Sequence, residues 1–139
     1  MELEMRDYAL DLFDRWTQLW NGDYALADEI MAPAFTLRYA QPGAAAYDSI
    51  RDRAAFVDAI DTFRKERPGL VFSTQGTPVV EMDDTRTGII ARPYGARIID
   101  SAGTVVRDIS GTDILRAENG QIVEVWSVSG GLEGRSFYS

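Results

Sequence analysis

The residue of this chain best suited to chemistry is Asp113, which interrupts the apolar run Ile109-Ser110-Gly111-Thr112-Asp113-Ile114-Leu115. A carboxyl inside a β-rich segment is disfavoured unless it has a partner or a purpose. Alternation along a strand puts it on one face with Ile109, Gly111 and Leu115. If that face is buried, desolvation raises the pKa and lets the carboxyl act as acid, base or neutral hydrogen-bond donor near pH 7. Paired instead with an arginine of a neighbouring strand, Arg92 or Arg97, or fixing a bulge near Gly111, the same aspartate would be structural.

The rest of the composition narrows the chemistry by exclusion. There is no cysteine, so disulfides, thiolate metal sites and cysteine nucleophiles are absent. There is no histidine either, which removes Ser-His-Asp catalysis, histidine bases and the commonest ligands for zinc and iron. The single lysine, Lys65, lies in the charged run Arg64-Lys65-Glu66-Arg67 and reads as a solvated cation rather than a Schiff-base former. Acid and base work therefore falls to carboxyls and tyrosines. Asp7, Asp11 and Asp14, and separately Asp58 and Asp61, fall at helical spacings, but nothing convergent completes an oxygen cage, so they read as solvated faces and no metal site or cofactor is expected. Gly130-Gly131-Leu132-Glu133-Gly134 lacks the lysine and following helix of a phosphate loop.

Fourteen basic against twenty-two acidic residues give a net charge of −8, which opposes binding to nucleic acid or anionic membranes. No basic leader followed by an apolar stretch opens the chain, and no window is apolar enough to span a bilayer, so a cytoplasmic protein is expected. With 139 residues, 45% of them apolar, a single domain over 1–139 is expected to bury roughly two-thirds of its unfolded surface, with 129–139 as a flexible tail because of its glycines.

The elements that must position Asp113 follow from periodicity. Met5, Tyr8, Ala9, Leu12, Phe13, Trp16, Leu19 and Trp20 recur three and four apart, one face of a helix. Asn21-Gly22 stops it, and a shorter helix capped by Asp23 runs through Met31, ending before Pro33. Phe35, Leu37 and Tyr39 alternate as a short strand. A third helix capped by Ser49 carries Ile50, Ala54, Val57, Ile60 and Phe63 on one face and ends at Pro68-Gly69. Then come four extended segments, 70–82, 87–100, 104–117 and 121–128, joined by turns too short for parallel crossovers. Pro78 and Pro93 suggest bulges or edges, and Gly76, Gly88, Gly95 and Gly111 suit a sharply bent sheet. The predicted architecture is α+β: three N-terminal helices packed on a strongly curved, mostly antiparallel sheet, in the order ααβαββββ.

That order resembles the nuclear transport factor 2-like cone fold over nearly the whole chain. Gly111-Thr112-Asp113-Ile114-Leu115-Arg116 with Asn119-Gly120-Gln121-Ile122-Val123-Glu124-Val125-Trp126 is similar to the closing hairpin of the SnoaL-like, polyketide cyclase-like branch, and Trp20-Asn21-Gly22-Asp23 to its first inter-helix turn. The resemblance implies that Asp113 matches the aspartate proposed as general acid/base in the cyclases, and the aspartate that hydrogen-bonds the oxyanion in the ketosteroid isomerases. Two carboxylates of the family's enzymes are replaced: Tyr39 stands at the isomerase general-base position, and Ser127 at a position often held by aspartate after the closing tryptophan. The Asp-Arg-Asp triad of the epoxide hydrolases and the histidine of the dehydratases have no counterpart. Proton transfer is then left to Asp113, helped by Tyr39, Tyr94, Arg92 or the hydroxyls of Ser127 and Ser129. A phenol with a pKa near 10 donates better than it accepts, so Tyr39 or Tyr94 would polarise a carbonyl.

Phe13, Trp16, Trp20, Tyr39, Phe56, Phe63, Tyr94 and Trp126, with Leu115 beside Asp113, can wall a pocket for a flat apolar ligand, or can be plain core. Trp126 alternates with Ser127, so if Ser127 faces the cavity Trp126 lies on the outer face, where a symmetric homodimer would cover the sheet. The expected function is a SnoaL-like pocket protein: a cofactor-independent isomerase or cyclase of a small hydrophobic carbonyl compound, polyketide- or steroid-like. The alternative is a non-catalytic domain of the same fold that binds a small ligand or dimerises. A hydrolase using carboxylate-activated water is a third reading.

Overall fold

The computed structural model describes residues 2–138. Its first helix, α1 (Glu2–Trp20), is amphipathic as the spacing predicts: Ala9, Leu12, Phe13, Trp16, Leu19 and Trp20 are buried along one face. The stop at Asn21-Gly22 depends on glycine, since Gly22 takes φ +108°, a region that residues with a Cβ rarely enter. The Asn21 side chain then acts as a piece of backbone: its Nδ2 donates to Phe72 O at 2.9 Å and its Oδ1 accepts from Phe72 N at 2.7 Å. A 3-10 turn (Tyr24–Leu26) leads into α2 (Ala27–Ile30), a single helical turn.

Met31, expected to belong to that second helix, instead opens β1 (Met31–Tyr39). Pro33 forces the residue before it toward extended backbone, and it sits in the irregular stretch between the Met31 and Thr36 pairings with β6, where its missing N–H breaks no ladder. Ser49, expected to cap the third helix, lies in a separate 3-10 turn (Ala45–Ser49) followed by extended Ile50. The cap of α3 (Arg53–Lys65) is Asp52, whose carboxylate accepts from Ala55 N at 2.9 Å. Phe56 and Ile60 are buried on its inner face, and Arg64 and Lys65 close its last turn, where cations oppose the helix dipole.

The segment expected as one strand over 70–82 is two, β2 (Leu70–Thr74) and β3 (Val79–Met82), both antiparallel to β4 (Gly88–Ile99). Between them Gly76 takes φ +62° and Pro78 offers no N–H, so the ladder is interrupted there and resumes. β5 (Val105–Glu118) and β6 (Gln121–Ser129) form the closing hairpin, turned by Asn119 and Gly120, with φ of 51° and 85°, the sign pattern of a type I′ turn. The sheet runs β1-β6-β5-β4-β2, with β3 further along β4. β1 pairs parallel to β6, and the other pairings are antiparallel.

Side chains from α1, α3 and the covered face of this sheet meet in one core that includes Phe13, Trp16, Phe56, Ile60, Ile90, Leu115, Ile122 and Val125. The arrangement is the helix-covered, curved α+β sheet that the sequence predicts. After β6 the chain returns to β5, where Ser110 N donates to Arg135 O and Ser110 Oγ accepts from Phe137 N, each at 2.9 Å. Ser139, the end of the tail expected to be flexible, lies outside the described residues. No helix among the described residues is long and apolar enough to cross a membrane.

Candidate functional site

Alternation along β5 buries Ile109, Gly111, Asp113, Leu115 and Ala117, leaving Thr112, Ile114 and Arg116 less covered. Asp113 is therefore carried inward by the same pattern that buries the apolar residues on either side, and it is only 7% exposed. No other carboxyl is buried among the described residues.

The arginine-paired reading of Asp113 is overturned. Arg92 stands across from it in the β4–β5 register, but the Arg92 Nε donates to Gln75 O at 3.3 Å, a carbonyl just past the end of β2. Arg97 faces Asp108 at 3.5 Å instead. What Asp113 has is the indole of Trp16, whose Nε1 donates to Oδ2 at 2.9 Å. Its Oδ1 is buried with no hydrogen-bond partner among the described residues. Ser127 lies directly opposite on β6, and its Oγ accepts from Gln41 Nε2 at 2.8 Å. Burial pushes the Asp113 carboxyl up to about 6, against smaller downward pulls from the Ser127 hydroxyl and the Trp16 indole.

Two phenols flank the carboxyl. Burial pushes Tyr94 up to about 12 and Tyr39 well above the usual tyrosine value, and the Asp113 charge adds to both shifts. Both thus keep their protons near neutral pH and can donate to a negative charge developing beside them. The Tyr94 ring rests on Gly111: a Cβ there would lie 2.4 Å from the Tyr94 hydroxyl oxygen and 2.5 Å from Cζ. Gly111 is thus a seat for the phenol, a closer reason for glycine than strand bending.

These groups open into a cavity of about 840 Å³. Of the residues expected to bind a ligand, Phe13, Trp16, Trp20, Phe63, Ser127 and Ser129 line it together with Asp113, Tyr39 and Tyr94. Phe56 and Leu115 are fully buried in the core behind it, and Arg92 is turned away toward Gln75. Trp20 is the hub of the wall, with ring centroids 6.1 Å from Tyr39, 5.7 Å from Phe63 and 5.6 Å from Phe72. Of the charged lining residues, Asp58, Glu66 and Glu133 are exposed and Arg67 is half-buried over the Phe63 ring, so Asp113 is the one buried charged group of the lining. Trp126 lies on the opposite face of β6, where Arg38, Thr112, Ile114 and Val128 surround a shallow hollow.

Among the lining residues that escape sequence reasoning are Gln41, Phe72 and Tyr47. Gln41 and Phe72 continue alternations that are visible in the sequence, the first beyond Tyr39 and the second beyond Leu70, and both patterns point inward. Tyr47 carries no such signal. It sits in the alanine-rich turn and reaches the wall only because that turn folds back, placing its ring 4.7 Å from that of Tyr39.

The comparisons with known proteins agree with this architecture. A family model described as the SnoaL-like domain matches residues 10–125. A proposed isomerase of the SnoaL-like family from Agrobacterium tumefaciens str. C58 superposes with a TM-score of 0.66 at 20% identity, over 90% of this chain and 99% of its own. Wild-type IdmH from Streptomyces antibioticus, a proposed polyketide cyclase, gives 0.66 at 21% identity over 86% and 89% of the two chains. An NTF2-like protein of unknown function from Mesorhizobium loti gives 0.61 at 19% identity over 90% and 93%. At these identities the likeness is one of fold. No curated protein matches the sequence significantly.

Proposed function

The chain belongs to the SnoaL-like domain family, and on that premise we propose that it is a cofactor-independent isomerase or cyclase of a small hydrophobic carbonyl compound, polyketide- or steroid-like, working by proton transfer at Asp113. One observation carries this reading: a carboxyl 7% exposed, with Oδ1 unpartnered, in an aromatic-walled cavity. Burying such a group is costly, and a pKa near 6 suits a base that must also return its proton.

Ionised Asp113 takes the proton from the carbon next to the substrate carbonyl. The C–H electron pair moves into the enolate, whose oxygen accepts a hydrogen bond from Tyr39 or Tyr94. The new carboxylic acid then gives its proton to a different carbon of the conjugated system, which completes a double-bond shift. In the cyclisation, the enolate carbon attacks a second carbonyl of the same molecule, and the alkoxide formed takes the proton. The aromatic walls hold the substrate close to its reactive shape and exclude water. The Trp16 indole keeps one carboxyl oxygen fixed, leaving Oδ1 for the reaction.

The test is α-proton exchange in D2O, followed by NMR over a panel of aromatic and polyketide-like ketones. Asp113→Asn is expected to abolish exchange while leaving the circular dichroism unchanged. Exchange retained by that variant would remove Asp113 from the mechanism.

A second reading, a non-catalytic ligand-binding or dimerisation domain, draws on Tyr39 and Ser127, which stand where the resemblance implies carboxylates in the family's enzymes. Binding of the ketones without exchange by the natural protein would favour it. A homodimer through the outer sheet face around Trp126 is compatible with both readings, and light scattering tests it.

A further inference from the structure

Gln41 lies one inward step past Tyr39. The pairing of β1 with β6 extends beyond the strand's end, because Ala40 N donates to Ser127 O at 2.9 Å, and this keeps Gln41 on the cavity side. Its amide is oriented by its neighbours. Nε2 donates to Ser127 Oγ at 2.8 Å, which leaves Oε1 as the amide atom not engaged by Ser127. That oxygen is buried and has no hydrogen-bond partner among the described residues. Tyr94 lies close enough to Gln41, Ser127 and Ser129 for all three to lower its pKa.

Two residues that line the cavity thus each hold a buried acceptor oxygen without a partner among the described residues: Asp113 Oδ1, which the proposed chemistry uses, and Gln41 Oε1, which it does not. Unpartnered buried acceptors are rare and destabilising, and a site built around one rejects ligands that lack the matching donor far more strongly than apolar walls reject a misfit. We propose that Gln41 is a specificity-determining residue, whose Oε1 accepts a hydrogen bond from a hydroxyl carried by the ligand near the carbonyl that Asp113 and the phenols address. The ligand class is narrowed accordingly to flat, apolar, hydroxyl-bearing compounds. This rests on the reading of the cavity as a ligand pocket and does not depend on turnover.

The probes are 1-naphthol and 1-methoxynaphthalene, which share a shape but differ in the donor. Their dissociation constants are measured by equilibrium dialysis near neutral pH, against the natural protein and Gln41→Met, which keeps the length and removes the acceptor. The natural protein is expected to bind 1-naphthol roughly tenfold more tightly. Gln41→Met is expected to lose that preference through 1-naphthol alone, and its unchanged affinity for 1-methoxynaphthalene shows that the cavity is intact. A preference that survives the substitution, or an equal loss for both compounds, overturns the role of Gln41 while leaving the pocket standing. Failure of the natural protein to bind either compound overturns the pocket reading and this inference with it. Loss of the proton-transfer mechanism alone would leave these affinities as they are.

Discussion

Trp16 Nε1 donates to Asp113 Oδ2 at 2.9 Å, joining the first helix to the penultimate strand at the one buried carboxyl among the described residues. Trp16 is 1% exposed, and its ring stacks on Phe56 with centroids 5.7 Å apart, so the indole cannot swing away from the carboxyl. Trp16→Phe keeps most of that packing and deletes the donor. Because the indole favours the ionised form, the Asp113 pKa is expected to rise above about 6 by up to about one unit. Carbon-13 NMR of the carboxyl, with Asp113→Asn for assignment, reads it; an unchanged or lower value would contradict the account.

Asp113→Asn is expected to stabilise the protein at neutral pH. The folded pKa of about 6 lies above the ordinary 3.8, so between these values the folded state binds more protons than the unfolded state. Stability is therefore lost as pH rises through that window and stays lost above it. The full penalty is on the order of 3 kcal/mol. Chemical denaturation should show the variant's advantage shrinking between about pH 6 and 4; an advantage independent of pH would argue against desolvation as its source.

Gly111→Ala places a methyl group 2.4 Å from the Tyr94 hydroxyl oxygen. The phenol must move off its seat, and overpacking of this kind costs about 1–3 kcal/mol. The variant is expected to fold and to bind flat aromatic ligands at least several-fold more weakly, measured by equilibrium dialysis. Unaltered affinity would mean that Tyr94 does not shape the ligand's place.

Asn21→Ala removes both side-chain hydrogen bonds that pin Phe72 of β2 to the end of α1. Its cost is expected at about 1–3 kcal/mol, seen as a lower midpoint in urea with little change in slope. A loss well under this range would show that water replaces the asparagine readily.

Much of the fold was legible in the sequence because it rests on local periodicity. The three- and four-residue spacing from Met5 to Trp20 marks the buried face of α1, and alternation from Ile109 to Leu115 puts Asp113 on one strand face with Ile109, Gly111 and Leu115, the face that the structure buries. The errors fell where two local signals compete: the second helix stops at Ile30, one residue short, ahead of Ala32, which Pro33 holds extended, Asp52 rather than Ser49 caps α3, and Gly76 with Pro78 divides one expected strand in two.

The partners of the candidate site were not legible, because alternation says which side chains share a face but not what that face meets. Arg92 shares the register position of Asp113 yet turns to a carbonyl beyond the end of β2, while the carboxyl's actual donor comes from a helix 97 residues earlier. The sequence by itself determined helices packed on a curved sheet, and placed Asp113 on the strand face it shares with Ile109, Gly111 and Leu115. Only tertiary packing decided that this carboxyl meets an indole instead of a guanidinium, that Gly111 seats Tyr94, and that Gln41 leaves an oxygen free, since each depends on how distant elements close around the same apolar space.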